Sequence, residues 1–235
     1  MAQTDQLAAR TGVTAGRSVD GVVARMRALR ASWPSTDGVA VFNNVYLTVT
    51  EEVGRRIEGR QFPDPRDATT LDVAFAERYL TAVDAVAAGR RPPACWRPLF
   101  QHRRHPGVRP LQFALAGINA HIGHDLPLAV IDSCRLLDCE PAALEGDFHR
   151  VGDILERLEE QIREELMPGP DLLEIVDPFT HLIGSWSLER AREAAWSAAR
   201  ILWTLRELPV LAKEFRDGMD ANAGLVGRYL LTPLR

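Results

Sequence analysis

Lysine is almost absent from this chain, which has a single lysine, Lys213, and otherwise uses arginine for positive charge. Lysine-based chemistry is therefore excluded everywhere except at that position. Acidic residues outnumber basic ones, and the formal net charge is −4. A chain with this balance lacks the overall positive field of a non-specific nucleic-acid binder, so we expect no nucleic-acid partner.

Cysteine is scarce as well: Cys95, Cys134 and Cys139 are separated and form no Cys-x-x-Cys pair. An odd number of separated cysteines is typical of reduced thiols. No apolar run reaches the roughly 20 residues that a membrane span needs, and residues 1–17 lack the apolar core of a secretory signal. We expect a cytoplasmic protein with no membrane partner, in which residues 1–17 form a flexible terminus.

Several common cofactor and catalytic motifs are also missing from the sequence. It contains no glycine-rich dinucleotide motif, no phosphate-binding loop of nucleotide hydrolases, no Gly-x-Ser-x-Gly motif and no His-Glu-x-x-His motif. These absences argue against a nucleotide cofactor and against the common serine hydrolases.

Helical periodicity dominates what the sequence does contain. Its 235 residues are 46% hydrophobic and 26% charged, which suits one globular domain. Apolar residues recurring every three or four positions predict helices over residues 22–33, 42–59, 70–88, 111–137, 145–167, 188–203 and 210–229, with a short segment over 172–183. Ser187 should cap the helix that follows it, and Gly218 should interrupt the last helix. We predict an all-α fold, with one domain over residues 18–235 and seven or eight helices around a buried central helix.

Residues 89–110 are rich in proline and arginine and lack helical periodicity. A loop of this length in a compact domain is usually a lid, a binding loop or a disordered segment. Trp96 indicates that this loop packs against the domain. The arginines of this loop either bind an anionic partner or are simply exposed to solvent.

The helix predicted over 111–137 is apolar on nearly all sides, so it should be the buried one. Pro127 should kink it, because proline has no N–H to donate to the carbonyl of Gly123. Four polar residues lie within seven positions of this helix: Asn119, His121, His124 and Asp125. Of these, His121, Asp125 and Asn119 are the candidate catalytic residues. Burying an unpaired polar group costs about 1–3 kcal/mol, so they must be satisfied by one another, by a ligand or by a metal.

His121 and Asp125 are four positions apart, so their side chains stack on one face of the helix. Such a pair can bind one metal ion, zinc or iron, or act as a general base and its orienting group. It can also be a structural hydrogen bond that pins the kinked helix, with Asn119 completing the network. Asp72 and Asp147 fall on the inward faces of their helices and are candidate additional metal ligands.

Aromatic and arginine side chains predict a pocket for a small-molecule substrate. The candidates are Tyr79, Trp96, Phe113, Arg192 and Trp196. Arg192 lies one helical turn from Trp196, which suits either a clamp for a carboxylate or phosphate or a structural cation–π contact.

Residues 109–126 resemble an uncharacterised family of helical proteins, common in actinobacteria and known as a domain of unknown function. The family pattern has His-Pro-Leu-Gln-His, followed by Asn-Ala-His-Ile-Asn-x-Asp-Leu. This chain keeps three polar positions of that pattern, Asn119, His121 and Asp125. The resemblance implies a helical fold over most of the chain and supplies no activity.

The chain also departs from the family pattern. Arg109 and Phe113 stand where the family has histidine, and Gly123 stands where it has asparagine. Residues 121–127, His-Ile-Gly-His-Asp-Leu-Pro, are in addition similar to the His-x-x-x-Asp helix of zinc-dependent phospholipase C and single-strand nuclease proteins. That second resemblance implies a metal-site geometry only.

Three functions follow from these patterns. The first is a metal-dependent enzyme acting on a small molecule, most simply a hydrolase, with zinc or iron held by His121, Asp125, Asp147 and Asp72. The second is a metal-free cyclase or isomerase of a specialised biosynthetic pathway, with His121 as base and Asp125 as its orienting group. The third is a non-catalytic ligand-binding protein.

Overall fold

The computed structural model describes residues 18–166 and 187–233. The terminus predicted to be flexible, residues 1–17, and the short segment predicted over 172–183 lie outside these two ranges. The domain is therefore described from 18 to 166 and from 187 to 233.

Helices and short helical turns make up the regular structure, and no strand occurs within the two described ranges. The α-helices are α1 Val19–Ser32, α2 Gly38–Glu58, α3 Pro65–Ala87, α4 Arg97–His102, α5 Pro110–Ala120, α6 Leu126–Leu137, α7 Glu145–Leu166, α8 Leu188–Thr204 and α9 Pro209–Leu230. A π-helical turn, His121–Asp125, joins α5 to α6, and 3₁₀ turns occur at Pro141–Leu144 and Leu205–Glu207.

The α5 helix, the π turn and α6 run on without a break, and we call them the central rod. With the rod counted as one helix, the described residues contain eight helices. The predicted all-α, single-domain bundle is therefore confirmed. Within the part of the chain that the structure describes, no helix is both long and apolar enough to cross a membrane.

Side-chain caps explain where helices begin. Asp64 accepts a hydrogen bond from the backbone N–H of Arg66, and proline is favoured at the first helical position that follows. Helix α3 therefore begins at Pro65 rather than at residue 70. Ser187 caps α8 as predicted, because its hydroxyl accepts from the N–H of Arg190.

The central rod is buried by its neighbours on both halves. Helices α2 and α9 pack against α5, and α3 and α8 pack against α6. The irregularity predicted at Pro127 takes the form of the π turn just before it, in which the N–H of Leu126 donates to the carbonyl of His121. A π turn adds one residue to the helical circumference, which relieves the clash of a proline ring with the preceding turn.

Two local features differ from the sequence prediction. Residues 89–110 contain α4 and are not wholly irregular, and Trp96 and Leu99 are fully buried. Gly218 does not interrupt α9, which runs through it. A Cβ at Gly218 would meet nothing within 4 Å, so this glycine is open to solvent and costs only about 1 kcal/mol of helix stability, which packing of the rest of α9 offsets.

Candidate active site

The site centres on the carboxylate of Asp125, which is 2% exposed at the end of the π turn. It receives three N–H groups. The Nδ1 atom of His121 lies 3.0 Å from Oδ2, the Nε1 atom of Trp96 donates to the same oxygen at 2.9 Å, and the Nδ1 atom of His124 lies 2.8 Å from Oδ1. Both carboxylate oxygens are therefore occupied by donors.

This arrangement fixes the state of both imidazoles. An ionised carboxylate only accepts hydrogen bonds, so His121 and His124 must each donate through Nδ1. Burial alone would raise the pKa of Asp125, but the hydrogen bonds from His121 and His124 outweigh it and lower that pKa to about 2. Asp125 is thus an anion that orients two rings, and the Nε2 atom of each ring faces away from it.

The Nε2 atom of His121 is buried and has no hydrogen-bond partner among the described residues. The ring is 3% exposed. Burial lowers the pKa of His121, because a protonated ring is costly to hold away from water, although Asp125 opposes that effect. His121 is therefore a neutral imidazole at pH 7, with the lone pair of Nε2 available to accept a proton or a ligand.

Aromatic rings enclose the imidazole of His121. The ring of Phe75 stacks on it with the centroids 3.6 Å apart, and the ring of Tyr46 meets it edge-on at 4.4 Å. Three further rings lie around it at centroid distances of 5.9 to 6.3 Å: Phe42, Trp96 and Tyr79. Phe42, Tyr46, Tyr79 and Trp96 are at most 5% exposed, so the shell keeps bulk water away from the base.

Two more polar groups in this region have no hydrogen-bond partner among the described residues. They are the hydroxyl of Tyr46 and the Oδ2 atom of Asp72. Burial raises the pKa of Asp72 to about 7. Burial, and after it the charges of Asp72 and Asp125, raises the pKa of Tyr46 well above its ordinary value. Asp72 precedes Phe75 by one helical turn, so both side chains come from the same face of α3.

A second polar cluster lies on the other side of Asp125. The Nε2 atom of His124 is 3.9 Å from Oδ1 of Asp220, and the carboxylate of Asp220 accepts the backbone N–H groups of Ala94 and Cys95. This side is more open, since the side chains of His124 and Asp220 are 10% and 24% exposed.

Metal-ligating atoms meet in this second cluster. One ligand atom each from Cys95, His124 and Asp125 lies within 4.8 Å of the others. The combination of a thiolate, an imidazole and a carboxylate is typical of zinc sites. It suits zinc better than it suits an iron ion of the kind that is bound by oxygen ligands. Cys95, His124 and Asp125 would hold the ion, which would have to displace the proton of the Cys95 thiol, whose pKa is raised by burial.

Some predicted site residues lie elsewhere. The Nδ2 atom of Asn119 donates to the carbonyl of Ala223 at 2.8 Å, so Asn119 ties the central rod to α9 rather than extending the network of Asp125. Phe113 packs against Gly38, where a Cβ would come within 2.3 Å of its ring. Trp96 and Tyr79, in contrast, both border His121.

Asp147 is apart from His121, in the first turn of α7. Burial, then the charges of Asp67 and Asp64, raises the pKa of Asp147 to about 6. Its charged neighbours are thus at the amino-terminal end of α3, and the structure does not bring Asp147 together with His121 and Asp125.

Arg192 and Trp196 form a structural contact between α8 and α7. The guanidinium of Arg192 lies 4.6 Å above the centre of the Phe148 ring and donates to the carbonyl of the same residue. The ring of Trp196 packs on Phe148 with the centroids 4.6 Å apart. Of the two sequence interpretations of Arg192, the geometry matches the cation–π contact, with Phe148 as the ring.

Sequence reasoning missed Phe42, Phe75, Cys95 and Asp220 as members of the site. For Asp220 a signal exists in α9. Gly224 lets α9 approach closely, because a Cβ there would lie 2.6 Å from the carbonyl oxygen of Ala94, and Asp220 lies one turn before it on the same face. A glycine one turn after an aspartate, as in α9, is thus the signal in the sequence for a close contact with another segment of the chain.

The fold and the site define an all-α bundle with a buried carboxylate that receives N–H groups from two histidines and a tryptophan. The chain belongs to a family of unknown function, DUF5995, whose model matches residues 19–233. Membership of an uncharacterised family is therefore confirmed. In the same comparisons, no curated protein and no solved structure matches the chain significantly.

Proposed function

We propose that this protein is an enzyme that rearranges a small organic molecule by acid–base catalysis, as a cyclase or an isomerase does. One observation carries the proposal: Asp125 holds the Nδ1–H of His121, and the opposite nitrogen of that ring is buried without a partner among the described residues. A neutral imidazole oriented by a carboxylate is the arrangement that a general base requires.

His121 would accept a proton from the substrate at Nε2. The positive charge that forms on the ring would be stabilised by the ionised carboxylate of Asp125, 3.0 Å from Nδ1. Asp72, whose pKa is raised to about 7, would be partly protonated at neutral pH and could return a proton to another atom of the substrate. Paired groups with pKa values moved in different directions suit such a division of roles.

The aromatic shell indicates the kind of substrate. Rings of Phe42, Tyr46, Phe75 and Trp96 surround His121, so a substrate that reaches this histidine would meet mainly aromatic carbon and few hydrogen-bonding groups. We propose a largely hydrocarbon substrate, bound by burial of its apolar surface. The Asn-Ala-His-Ile-x-x-Asp-Leu pattern would then be the part of the family sequence that carries its chemistry.

A metal-dependent hydrolase is the second candidate, favoured by the cluster of Cys95, His124 and Asp125. Zinc bound by these residues would supply an activated water molecule or polarise a substrate oxygen. Asp220 lies beside this cluster and would hold or orient a ligand.

The three cysteines are free thiols, which supports our further proposal that the protein works in the reducing cytoplasm.

Mass spectrometry of a metabolite extract incubated with the purified protein tests both candidates. An isomerase or a cyclase of this kind produces a product with the mass of its substrate and a new retention time. A hydrolase adds one water and breaks a bond, so its products have masses that sum to that of the substrate plus one water. We expect an isobaric product that persists after chelator treatment. It should be lost in His121→Asn and retained in His149→Asn, a matched change at an exposed histidine of α7.

The other outcomes have definite meanings. Products whose masses sum to that of the substrate plus one water, lost after chelation and restored by Zn²⁺, would replace the first candidate by the second. In that case Cys95→Ser should lose the activity, and Cys134→Ser, a matched change at another buried thiol, should keep it. A compound retained by the protein with no product would contradict both and leave a ligand-binding protein.

A further inference from the structure

A groove of about 550 Å³ lies between the carboxyl-terminal end of α2 and the exposed face of α7, away from His121. Four arginines line it: Arg56, Arg60, Arg150 and Arg157. Asp153 is the one carboxylate among its described lining residues. We propose that this groove, which we call the arginine groove, binds a small phosphate ester, with the phosphate on the guanidinium groups.

The positive charge of the groove is local. The chain as a whole has a net charge of −4, so an excess of three positive charges among the lining residues runs against the overall balance. Guanidinium groups match the geometry of phosphate oxygens and donate paired hydrogen bonds to them. Several such groups around one cavity therefore suit a doubly charged anion better than a neutral molecule.

The fold itself uses only part of this charge. Arg56 pairs with Glu52 at 2.6 Å and lies in the last turn of α2, where a basic residue complements the helix dipole. Arg150 donates one N–H to the carbonyl of Gln61 at 2.9 Å. Arg60 and Arg157 also line the groove, and neither forms an ion pair with another side chain that the structure describes.

Arg60 has an unfavourable backbone conformation, with a φ of 54°. Only glycine adopts this left-handed region without a steric cost, and arginine is not among the residues enriched there. The glycine of this turn, Gly59, stands one position earlier, with a φ of −72°. The turn thus places an arginine at the rim of the groove at a position where glycine would be the less strained residue.

The lining of the groove also includes apolar surface. Phe62 and Ile154 are core residues that line it, and little of either side chain is open to water. The organic group of an ester would lie against Phe62, Pro63 and Ile154 and add contacts that inorganic phosphate cannot make. We therefore expect an organic phosphate to bind more tightly than inorganic phosphate. This inference is independent of the role of His121.

NMR titration of the full chain with phenyl phosphate, inorganic phosphate, benzoate and phenol tests the proposal. We expect saturable shifts at residues 56–63 and 150–157, with phenyl phosphate tightest, benzoate weaker because of its single charge, and phenol without effect. Arg60→Gln and Arg157→Gln should each weaken phenyl phosphate binding by about tenfold. Arg30→Gln, at an exposed arginine of α1, should leave it unchanged.

Three results would overturn the proposal. The first is the absence of saturable binding of phenyl phosphate to the wild-type chain. The second is an equal loss in Arg30→Gln, which would show general charge screening. The third is equal binding of phenol, which would show that the apolar surface alone is responsible. Because Arg60→Gly removes the guanidinium and suits the left-handed backbone, it provides a folded variant that should also lose binding.

Discussion

The imidazole of His121 lies parallel to the ring of Phe75, with the two centroids 3.6 Å apart and the planes 7° from parallel. The same imidazole is held through Nδ1 by Asp125. Stacking fixes the plane of the ring and the hydrogen bond fixes its direction within that plane. The Nε2 atom therefore has one orientation before any ligand arrives, which is the preorganisation that an acid–base site needs.

Asp125→Asn should disrupt the tautomers of both histidines. The carboxamide of asparagine has one oxygen, which accepts, and one NH₂ group, which donates. The NH₂ group would therefore face a ring nitrogen that donates a hydrogen bond in the wild type. We expect His121 or His124 to change from the Nδ1–H to the Nε2–H form, visible in ¹⁵N–¹H correlation spectra of the imidazoles. Stability should fall by about 3 kcal/mol, because buried N–H groups lose their acceptor.

Asp138→Asn is the matched control for that change. Asp138 is exposed at the end of α6 with a φ of 52°, a conformation that asparagine adopts as readily as aspartate. Its unfolding free energy and the imidazole spectra should remain as in the wild type. Unchanged tautomers in Asp125→Asn would show that Asp125 does not orient the two rings.

Asp72 should make the protein less stable as the pH rises. Its pKa is about 7 in the folded state and 3.8 in the reference state, so the folded chain binds the proton more tightly between these values. The contribution of Asp72 to the free energy of unfolding is then greatest below about pH 4. It falls as the pH rises to 7, by at most about 4 kcal/mol. Asp147 acts in the same direction, since its pKa is also raised.

Urea unfolding at pH 5, 6 and 8 measures this effect. Asp72→Asn cannot ionise, so its stability should decline less with pH than that of the wild type, and at pH 8 it should be the more stable protein. Asp84→Asn, at an exposed carboxylate of the same helix, should keep the wild-type slope. Parallel pH profiles for Asp72→Asn and the wild type would contradict the burial of an ionisable carboxyl there.

Gly117 and Gly123 lie in the central rod and should respond in opposite ways to alanine. A Cβ at Gly117 would come within 2.2 Å of the ring of Phe42, which in turn borders His121. Gly117→Ala should therefore cost about 2 kcal/mol or more and disturb the shell of His121. At Gly123 the nearest atom would be 3.8 Å away, on Ala223, so Gly123→Ala should be neutral or stabilise by up to about 1 kcal/mol.

Thermal unfolding and the ring-current shifts of His121 separate the two variants. The shifts should change in Gly117→Ala and stay as in the wild type in Gly123→Ala. Equal stability of the two variants would contradict the close approach of α2 to the central rod at Phe42.

Much of the fold could be predicted from the sequence, because helical periodicity and caps are local. The apolar residues of 111–137 predicted the buried rod, and Ser187 predicted the start of α8. Helix α4 escaped prediction, since its six residues are too few to show a period and its burial depends on contact with α9. The effect of Gly218 was overestimated because packing along α9 outweighs a cost of about 1 kcal/mol.

The candidate site was predictable only in part. His121 and Asp125 share one turn, so their contact follows from helical geometry. Trp96 and Asp220 reach the same place from distant segments, and spacing along the chain cannot show that. The helical pattern showed that Asp147 faces the core. It could not show that Asp147 faces a part of the core that is separate from His121 and Asp125.

Arg60→Gly should stabilise the protein, in contrast to most substitutions of arginine by glycine. The left-handed φ of 54° at Arg60 strains any side chain there, and glycine removes that strain at the cost of a more flexible unfolded chain. We expect a gain of about 0.5–1 kcal/mol in urea unfolding. Arg55→Gly, five residues earlier and within the right-handed part of α2, should lose about 1 kcal/mol. Equal losses in the two variants would mean that the turn at Arg60 does not adopt the left-handed conformation in solution.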